Sequence, residues 1–337
     1  MASDSNSASG DYSFIGGGTH NRASGDSSVV GGGSRNTASG TSSSVCGGKS
    51  NLASDIYATI SGGRDNQVIA DGGFIGGGYS NNVSNGSTAS CPTISGGNGN
   101  FATAIGASVG GGLGNNACDS YATVSGGYYN GSGFGAAVSG GGSNIASGDY
   151  ASVPGGLQNR ADGNYSFAGG YRAQTNGTGV FAWADATGDT FGIGLINSFN
   201  ARASNGFRFW TTSDITQNIG ARLLANSSAL TTLSDSTQKT DIRRADTKAV
   251  LEKVAQLTIS EWRYKAQPDP TIRHMGPMAQ DFWKAFRLGE DSLSISTIDP
   301  GGIALAAIQE LYKEVIELRA RVQTLEAGQQ KAIKEEK

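Results

Sequence analysis

Histidine occurs only twice in the 337 residues, at His20 and His274. The two fall in stretches of unlike composition, so neither a Ser-His-Asp triad nor a histidine-built zinc site is expected. Cysteine is almost as sparse. Cys46, Cys91 and Cys118 are odd in number and have no C-x-x-C spacing, which favours small buried residues over a disulfide frame or a metal cage. No cofactor is expected. No apolar run approaches the roughly 18 residues that a bilayer span requires. The opening Met-Ala-Ser-Asp-Ser has neither a charged nor an apolar signal region, so membrane insertion and a secretion signal are not expected. The formal net charge of -3 leaves no basic surplus to neutralise phosphates, which excludes nucleic acid as an expected partner.

Glutamate is missing from Met1 through Val180, a stretch that holds six Lys plus Arg, nine Asp and 43 of the 53 glycines. From Ser234 to Lys337 the chain carries 16 basic and 16 acidic residues. Two kinds of protein are therefore joined near residue 234, in keeping with a length that suggests two or three domains. Three parts are expected: glycine-rich repeats over residues 1–175, an aromatic cap and stalk over 176–233, and a charged, helix-rich domain over 234–337.

The repeat is legible from an apolar residue standing before each glycine pair: Ile15, Val30, Val45, Ile60, Ile75, Ile94, Val109, Val124, Val138, Val153 and Phe167. The step between anchors is nearly constant, and only the one from Ile75 to Ile94 is long. Asn follows the anchor by six positions at Asn21, Asn36, Asn51, Asn66, Asn81, Asn100, Asn115, Asn130, Asn144 and Asn159, a second mark of the same period. Each unit has two short β-prone segments separated by Gly-Gly and by Ser-Gly or Asp-Gly turns. Such glycine density excludes a helix, and glycine does not recur every third residue as collagen demands. A mainly β part is expected, a parallel β-roll or β-solenoid of stacked turns. Glycine handicaps folding by about 0.5–1 kcal/mol per residue relative to alanine, and one Val or Ile per turn is a thin core. Copies of the rod are therefore expected to bury further surface against one another. Gly97-Asn-Gly-Asn-Phe-Ala102 and Gly112-Leu-Gly-Asn-Asn-Ala117 fit a dinucleotide pattern, but no helix can follow either, and the repeat accounts for both.

Ser28-Val-Val-Gly-Gly-Gly33, Thr103-Ala-Ile-Gly106 and Ala137-Val-Ser-Gly-Gly141 resemble the head repeats of trimeric autotransporter adhesins. That likeness implies a trimeric roll. The chain has Gly-Gly or Gly-Gly-Gly where those heads have one glycine, and no membrane barrel is seen at its end.

Past Asn176 the period fails and Phe181, Trp183, Phe191, Phe199, Phe207, Phe209 and Trp210 appear. They are expected to cap the open end of the roll, with a sugar-binding platform as the competing reading. Residues 221–232 suit a narrow stalk. In the last domain Asp235-Ser-Thr-Gln238 reads as a helix start leading to Val250, Leu251, Val254 and Leu257. Strands are expected over 259–264 and 293–298, and a helix over 278–286. Ile308, Leu311, Val315, Leu318, Val322 and Leu325 recur at alternating steps of three and four, a heptad seam that predicts a coiled coil over 303–327. Packing within its own domain is the alternative. Glu314 with Arg319, and Arg321 with Glu326, are placed as pairs across a parallel coil. The α+β C-terminal domain thus ends in a self-associating helix.

Three blocks in this domain, Ser234-Asp-Ser-Thr-Gln-Lys-Thr-Asp-Ile242, Arg273-His-Met-Gly-Pro-Met-Ala-Gln-Asp281 and Gly302-Ile-Ala-Leu-Ala-Ala-Ile-Gln-Glu-Leu311, are similar to the endosialidase-type C-terminal intramolecular chaperones of phage tailspikes and tail fibres. The resemblance implies a domain that trimerises, assists folding of the β-structure ahead of it and then releases itself. Carried over, Leu233-Ser234 is the scissile bond, Ser234 the nucleophile and Lys239 the general base of a self-cleaving serine peptidase. A serine hydroxyl needs such a base, and lysine serves only if its surroundings favour the neutral amine. Without the resemblance, Ser234 reads as a helix cap and Lys239 as a solvated residue. A homotrimeric fibre on a virion, or a cell-surface adhesin, attaching to a host receptor or glycan is the expected whole. The competing expectation is a structural or surface-binding solenoid that is never cut.

Overall fold

The computed structural model describes residues 5–84, 91–211, 213, 220–232 and 234–335. The chain divides into two compact units, Met1–Leu233 and Ser234–Lys337. The first is a parallel β-solenoid. Its turns contribute very short strands alternately to two sheets, one of 13 strands and one of 14. In one sheet Val29 and Val30 pair with Ser44 and Val45; in the other Thr37 and Ala38 pair with Leu52 and Ala53. Single parallel bridges running from Thr19 to Leu157 form a third column. The long step in the repeat leaves both registers whole, because Ile75 still meets Ile94 and Asn82 still meets Phe101. At about 4.8 Å per layer, 13 layers span roughly 60 Å.

Alternation along each strand turns one residue inward. Val30, Val45, Ile60, Ile75, Ile94, Val109, Val124, Val138 and Val153 line one wall with no exposure, and Ala23, Ala38, Ala53, Val68, Val83, Ala102 and Ala117 line the other. So short a strand has room for a single inward side chain. The apolar core is thin, as the sequence suggests, with Ala58, Ala70, Ala107, Ala122, Ala136 and Ala151 adding small buried groups at the bends, and a large part of the remaining buried volume is polar.

That volume belongs to the asparagines of the repeat, which are all buried. The Asn66 backbone N–H donates to Asn51 Oδ1 (3.1 Å), while Asn66 Nδ2 donates to the carbonyls of Gly62 (3.1 Å) and of Gly78 one layer on (3.0 Å). Asn66 Oδ1 then accepts from the backbone of Asn81 at 3.0 Å. The same pattern repeats from Asn21 to Asn159. It pairs the carbonyl of the preceding glycine, such as Gly62, and adds a second donor to the Gly78 carbonyl, which also accepts from the Arg64 N–H at 2.9 Å. The last glycine of each bend has φ near +90°, as in Gly33, Gly48 and Gly63. A Cβ on Gly48 would lie 2.7 Å from Asn51 Nδ2 and overlap the Gly63 carbonyl oxygen, whereas one on Gly47 would meet nothing. One glycine of each pair is thus obligatory, and the other is not.

The solenoid outlasts its sequence period. Phe167–Tyr171 pairs with Phe181–Ala184 and that with Phe199–Arg202, while Ala173–Thr175 pairs with Phe191–Ile193. Inward positions are still alanine, at Ala168, Ala182 and Ala184. Phe167, Phe181 and Phe199 form an external stack at centroid spacings of 4.5 and 4.4 Å, while Phe191, on the last strand of the other sheet, packs partly buried against the core. Aromatic bulk thus continues the layers as an external column, and Phe191 with Ile193 covers the core at the last strand of its sheet. Residues 221–232 are not a plain stalk: Gly220–Leu223 pairs antiparallel with Phe207–Trp210 and with Leu230–Thr232. All three cysteines are exposed, contrary to the burial expected of them, because each falls on an outward or corner position of its layer.

In the second unit, helices α1 (Thr247–Gln256), α2 (Ala279–Phe286) and α3 (Asp299–Glu335) accompany a hairpin of Ser260–Trp262 and His274–Gly276. The Asp235 start yields only a single 3-10 turn, Ser236–Gln238. α1 begins later, where the Asp246 side chain accepts from the Ala249 N–H. The segment 293–298 is not the strand expected there. The Asp291 carboxylate takes the N–H groups of Leu293 and Ser294 at 2.8 and 2.9 Å and curls the chain.

Two substitutions test the glycine assignment, and a third tests the asparagine ladder. Gly48→Ala should cost more than about 2 kcal/mol, as forced strain and overpacking do, while Gly47→Ala should stay within about 0.5–1 kcal/mol of wild type. Asn66→Ala, which leaves the Gly62 carbonyl and the Asn81 N–H unpaired, should cost about 2–3 kcal/mol. Denaturant unfolding of the full chain measures all three.

Candidate functional site

The first residue of the second unit is Ser234, and Lys239 lies within bonding distance of it: Nζ to Oγ is 2.7 Å. Leu233, the residue on the other side of the expected scissile bond, lies outside the described residues. Ser234 is not the helix cap. The cap of the following turn is Asp235, whose Oδ1 accepts from the Thr237 N–H at 2.9 Å. The Gln238 N–H returns to the Asp235 carbonyl and the Lys239 N–H to that of Ser236, both at 3.2 Å. The Asp235 carboxyl is held below the usual carboxylate range, first by the Thr237 backbone N–H, then by the Thr237 side chain, with the Lys239 charge adding to the effect.

This pair has the reach that nucleophile activation needs. A lysine ammonium donates to the serine oxygen; the neutral amine accepts the serine proton instead. Both residues are exposed in the single chain.

The other two blocks form scaffold. The second supplies the strand His274–Gly276 and enters α2, whose Phe282 is 3% exposed. His274 packs against Trp262 and Tyr264, with centroids at 4.7 and 5.4 Å. The third lies in α3, where Ile303 and Ala307 are buried. Thr247 Oγ1 donates to Glu310 Oε2 at 2.6 Å, and Lys313 Nζ donates to the same oxygen at 2.6 Å. This link ties the start of α1 to α3. No periodicity marks it, because its ends are far apart in sequence. Most of the heptad seam is exposed among the described residues: Ile308, Leu311, Leu318, Val322 and Leu325 are between 49% and 68% exposed, and Val315 is half-buried.

The Glu310 carboxyl is pulled below its ordinary 4.5, chiefly by the Lys313 hydrogen bond and next by that of Thr247. A depressed folded-state value means that the tie stabilises fully above the ordinary glutamate value and is lost as pH falls through the folded one. Helical signal and α1 protection should therefore persist through pH 4.5 and fall only below it. Glu310→Gln should remove that acid-dependent step in a pH titration followed by circular dichroism and hydrogen exchange.

No curated protein matches this chain. Residues 234–287 match the family model Peptidase_S74, chaperone of endosialidase. The matched span starts at Ser234 and ends at Arg287, the left-handed residue closing α2, so it takes in the Ser234–Lys239 pair, α1, the hairpin and α2. The C-terminal region of this protein carries an endosialidase-chaperone domain, set behind a β-solenoid of about thirteen turns.

Proposed function

We propose that this is a homotrimeric fibre or spike protein whose C-terminal domain assembles three chains, sets the register of their solenoids and then detaches itself by cutting Leu233-Ser234. The observation that carries the reading is the 2.7 Å approach of Lys239 Nζ to Ser234 Oγ, inside a stretch that matches the endosialidase-chaperone family.

The chemistry balances within the chain. Neutral Lys239 takes the proton of Ser234 Oγ, and the oxygen attacks the carbonyl carbon of Leu233. The C–N bond of that peptide breaks, and the proton passes from Lys239 to the departing nitrogen of Ser234. An ester between Leu233 and Ser234 remains, which water hydrolyses to a Leu233 carboxylate and a free Ser234 hydroxyl and amine. Covering Lys239 with neighbouring chains would favour the neutral amine, so assembly and cutting become coupled.

The solenoid explains the use of such a clamp. Its layers share one backbone path and one buried ladder, so three rods displaced by one layer keep the same stacking and differ only in the outward side chains they match. The exposed seam of α3 supplies alignment from outside the repeat. After release, the rod persists because its unfolding barrier is high, not because the clamp still holds it. The remaining rod, residues 1–233, is read as a host-attachment segment of a virion fibre, bound to a cell-surface receptor or glycan. An uncut structural or surface-binding rod is the second reading; rows of outward threonine would favour it, but Thr59, Thr93 and Thr123 are separated by other residues.

Expressed wild-type chain should yield a fragment of residues 234–337, identified by mass and by its Ser234 amino terminus. Ser234→Ala and Lys239→Ala should remain full length while still assembling. An intact wild type that has demonstrably formed trimers would overturn self-cleavage in favour of the uncut rod. Leu318→Asp, which places charge in the seam, should reduce the trimer to monomer in light scattering and leave the chain uncut.

A further inference from the structure

We propose that Asp235 is the positioning residue of the self-cleavage: it closes the single helical turn that brings Lys239 back onto Ser234, and without that turn the base does not reach its nucleophile. The inference rests on the self-cleavage reading for its role, but the turn it describes stands apart from it.

Chain geometry makes some such device necessary. Five residues of extended chain span about 16–18 Å, beyond the combined reach of a serine and a lysine side chain. A 3-10 turn rises only about 2 Å per residue, and Ser236–Gln238 forms one. Lys239 follows it in extended conformation, with φ -120° and ψ 144°, so its side chain leaves the turn at the point where Nζ meets Ser234 Oγ.

A helix of one turn is not stable without help, because nucleation fixes several residues for a single bond. No residue of this one is buried, so core packing does not hold it. What holds it is Asp235, which acts twice. Its carbonyl accepts the Gln238 N–H, and its side chain accepts the Thr237 N–H. The backbone bond survives any substitution, and the side-chain bond does not. Asp235 neither accepts the serine proton nor meets the scissile carbonyl in this role. It acts on Lys239 through the turn.

The test compares substitutions that keep or lose the cap in the full-length chain. Asparagine can accept from the Thr237 N–H as aspartate does, and alanine cannot. Cleavage in Asp235→Ala should slow by about tenfold, the size of a lost cap, with trimer content and circular dichroism unchanged. Asp235→Asn should restore the rate to within about threefold of wild type. Alanine as fast as wild type, or asparagine as slow as alanine, would overturn the proposal. A second readout needs no cleavage: in the Ser234→Ala chain, amide exchange at Thr237 should quicken in the added Asp235→Ala and stay near its parent value in Asp235→Asn. Unchanged exchange in the alanine chain also counts against the proposal. A wild type that never cuts, combined with the expected exchange pattern, would retain the turn and discard the dyad, which separates the two failures.

Discussion

Hydrogen bonding of the buried asparagines is the interaction on which the rest of this protein depends. Each solenoid layer has two very short strands, so most of its backbone lies in bends, where layer-to-layer bonds such as Thr19 N–H to the Gly33 carbonyl pair some groups and leave others without a backbone partner. Backbone carbonyls in such bends must still be paired. Each Asn carboxamide does this in two directions, to the carbonyl of the glycine four positions back and to that of the last glycine of the bend in the next layer. It also accepts the N–H of the following asparagine. The ladder therefore links layers as strand pairing does, but at the corner where strands are missing. Its cost is paid in glycine, because the carboxamide and the next layer occupy the space where a side chain would begin.

A thin apolar core and an asparagine ladder that is the same in every layer explain both the strength and the weakness of the rod. Within one chain, connectivity sets the register, and every layer reinforces its neighbours. In the proposed trimer, the sameness of the buried ladder from layer to layer becomes degeneracy, which only the differing outward residues oppose. Information about alignment has to come from a part of the chain that is not repetitive. The second unit is of that kind: its helices are of unequal length, its caps are distinct, and its α1–α3 tie through Thr247, Glu310 and Lys313 occurs once.

The pair at Ser234 illustrates how local and tertiary effects divide. Its geometry is local, built by the consecutive run from Ser234 to Lys239 and a side-chain cap. Its environment is not local, because in the single chain both side chains face water, and an exposed lysine is a poor base at neutral pH. Proximity is thus supplied by the turn, and under the proposed function burial comes with assembly. Under the proposed function this division delays cutting until the chains have come together.

Much of this is legible in the residue order. The anchors from Ile15 to Phe167 and the asparagines that follow them specify a stack of layers, because a period that regular has no other compact solution. The α3 seam and the Ser234–Lys239 spacing are also readable, since both depend on residues close together in the chain. Other features are decided only in three dimensions. Asn66 is visible as a mark of the repeat, but not as the partner of Gly62, Gly78 and Asn81, because bonds across layers join residues far apart in sequence. Phe181 and Phe199 read as a cap, yet they continue the layers: strand pairing aligns Phe167 with Phe181 and Phe181 with Phe199 despite their unequal spacing, as long as alanine faces inward. The cysteines read as buried and stand exposed because, in so short a strand, a shift of one position exchanges core for solvent. Sequence period sets which residues are equivalent, and only the path of the backbone through each bend decides which of them face inward.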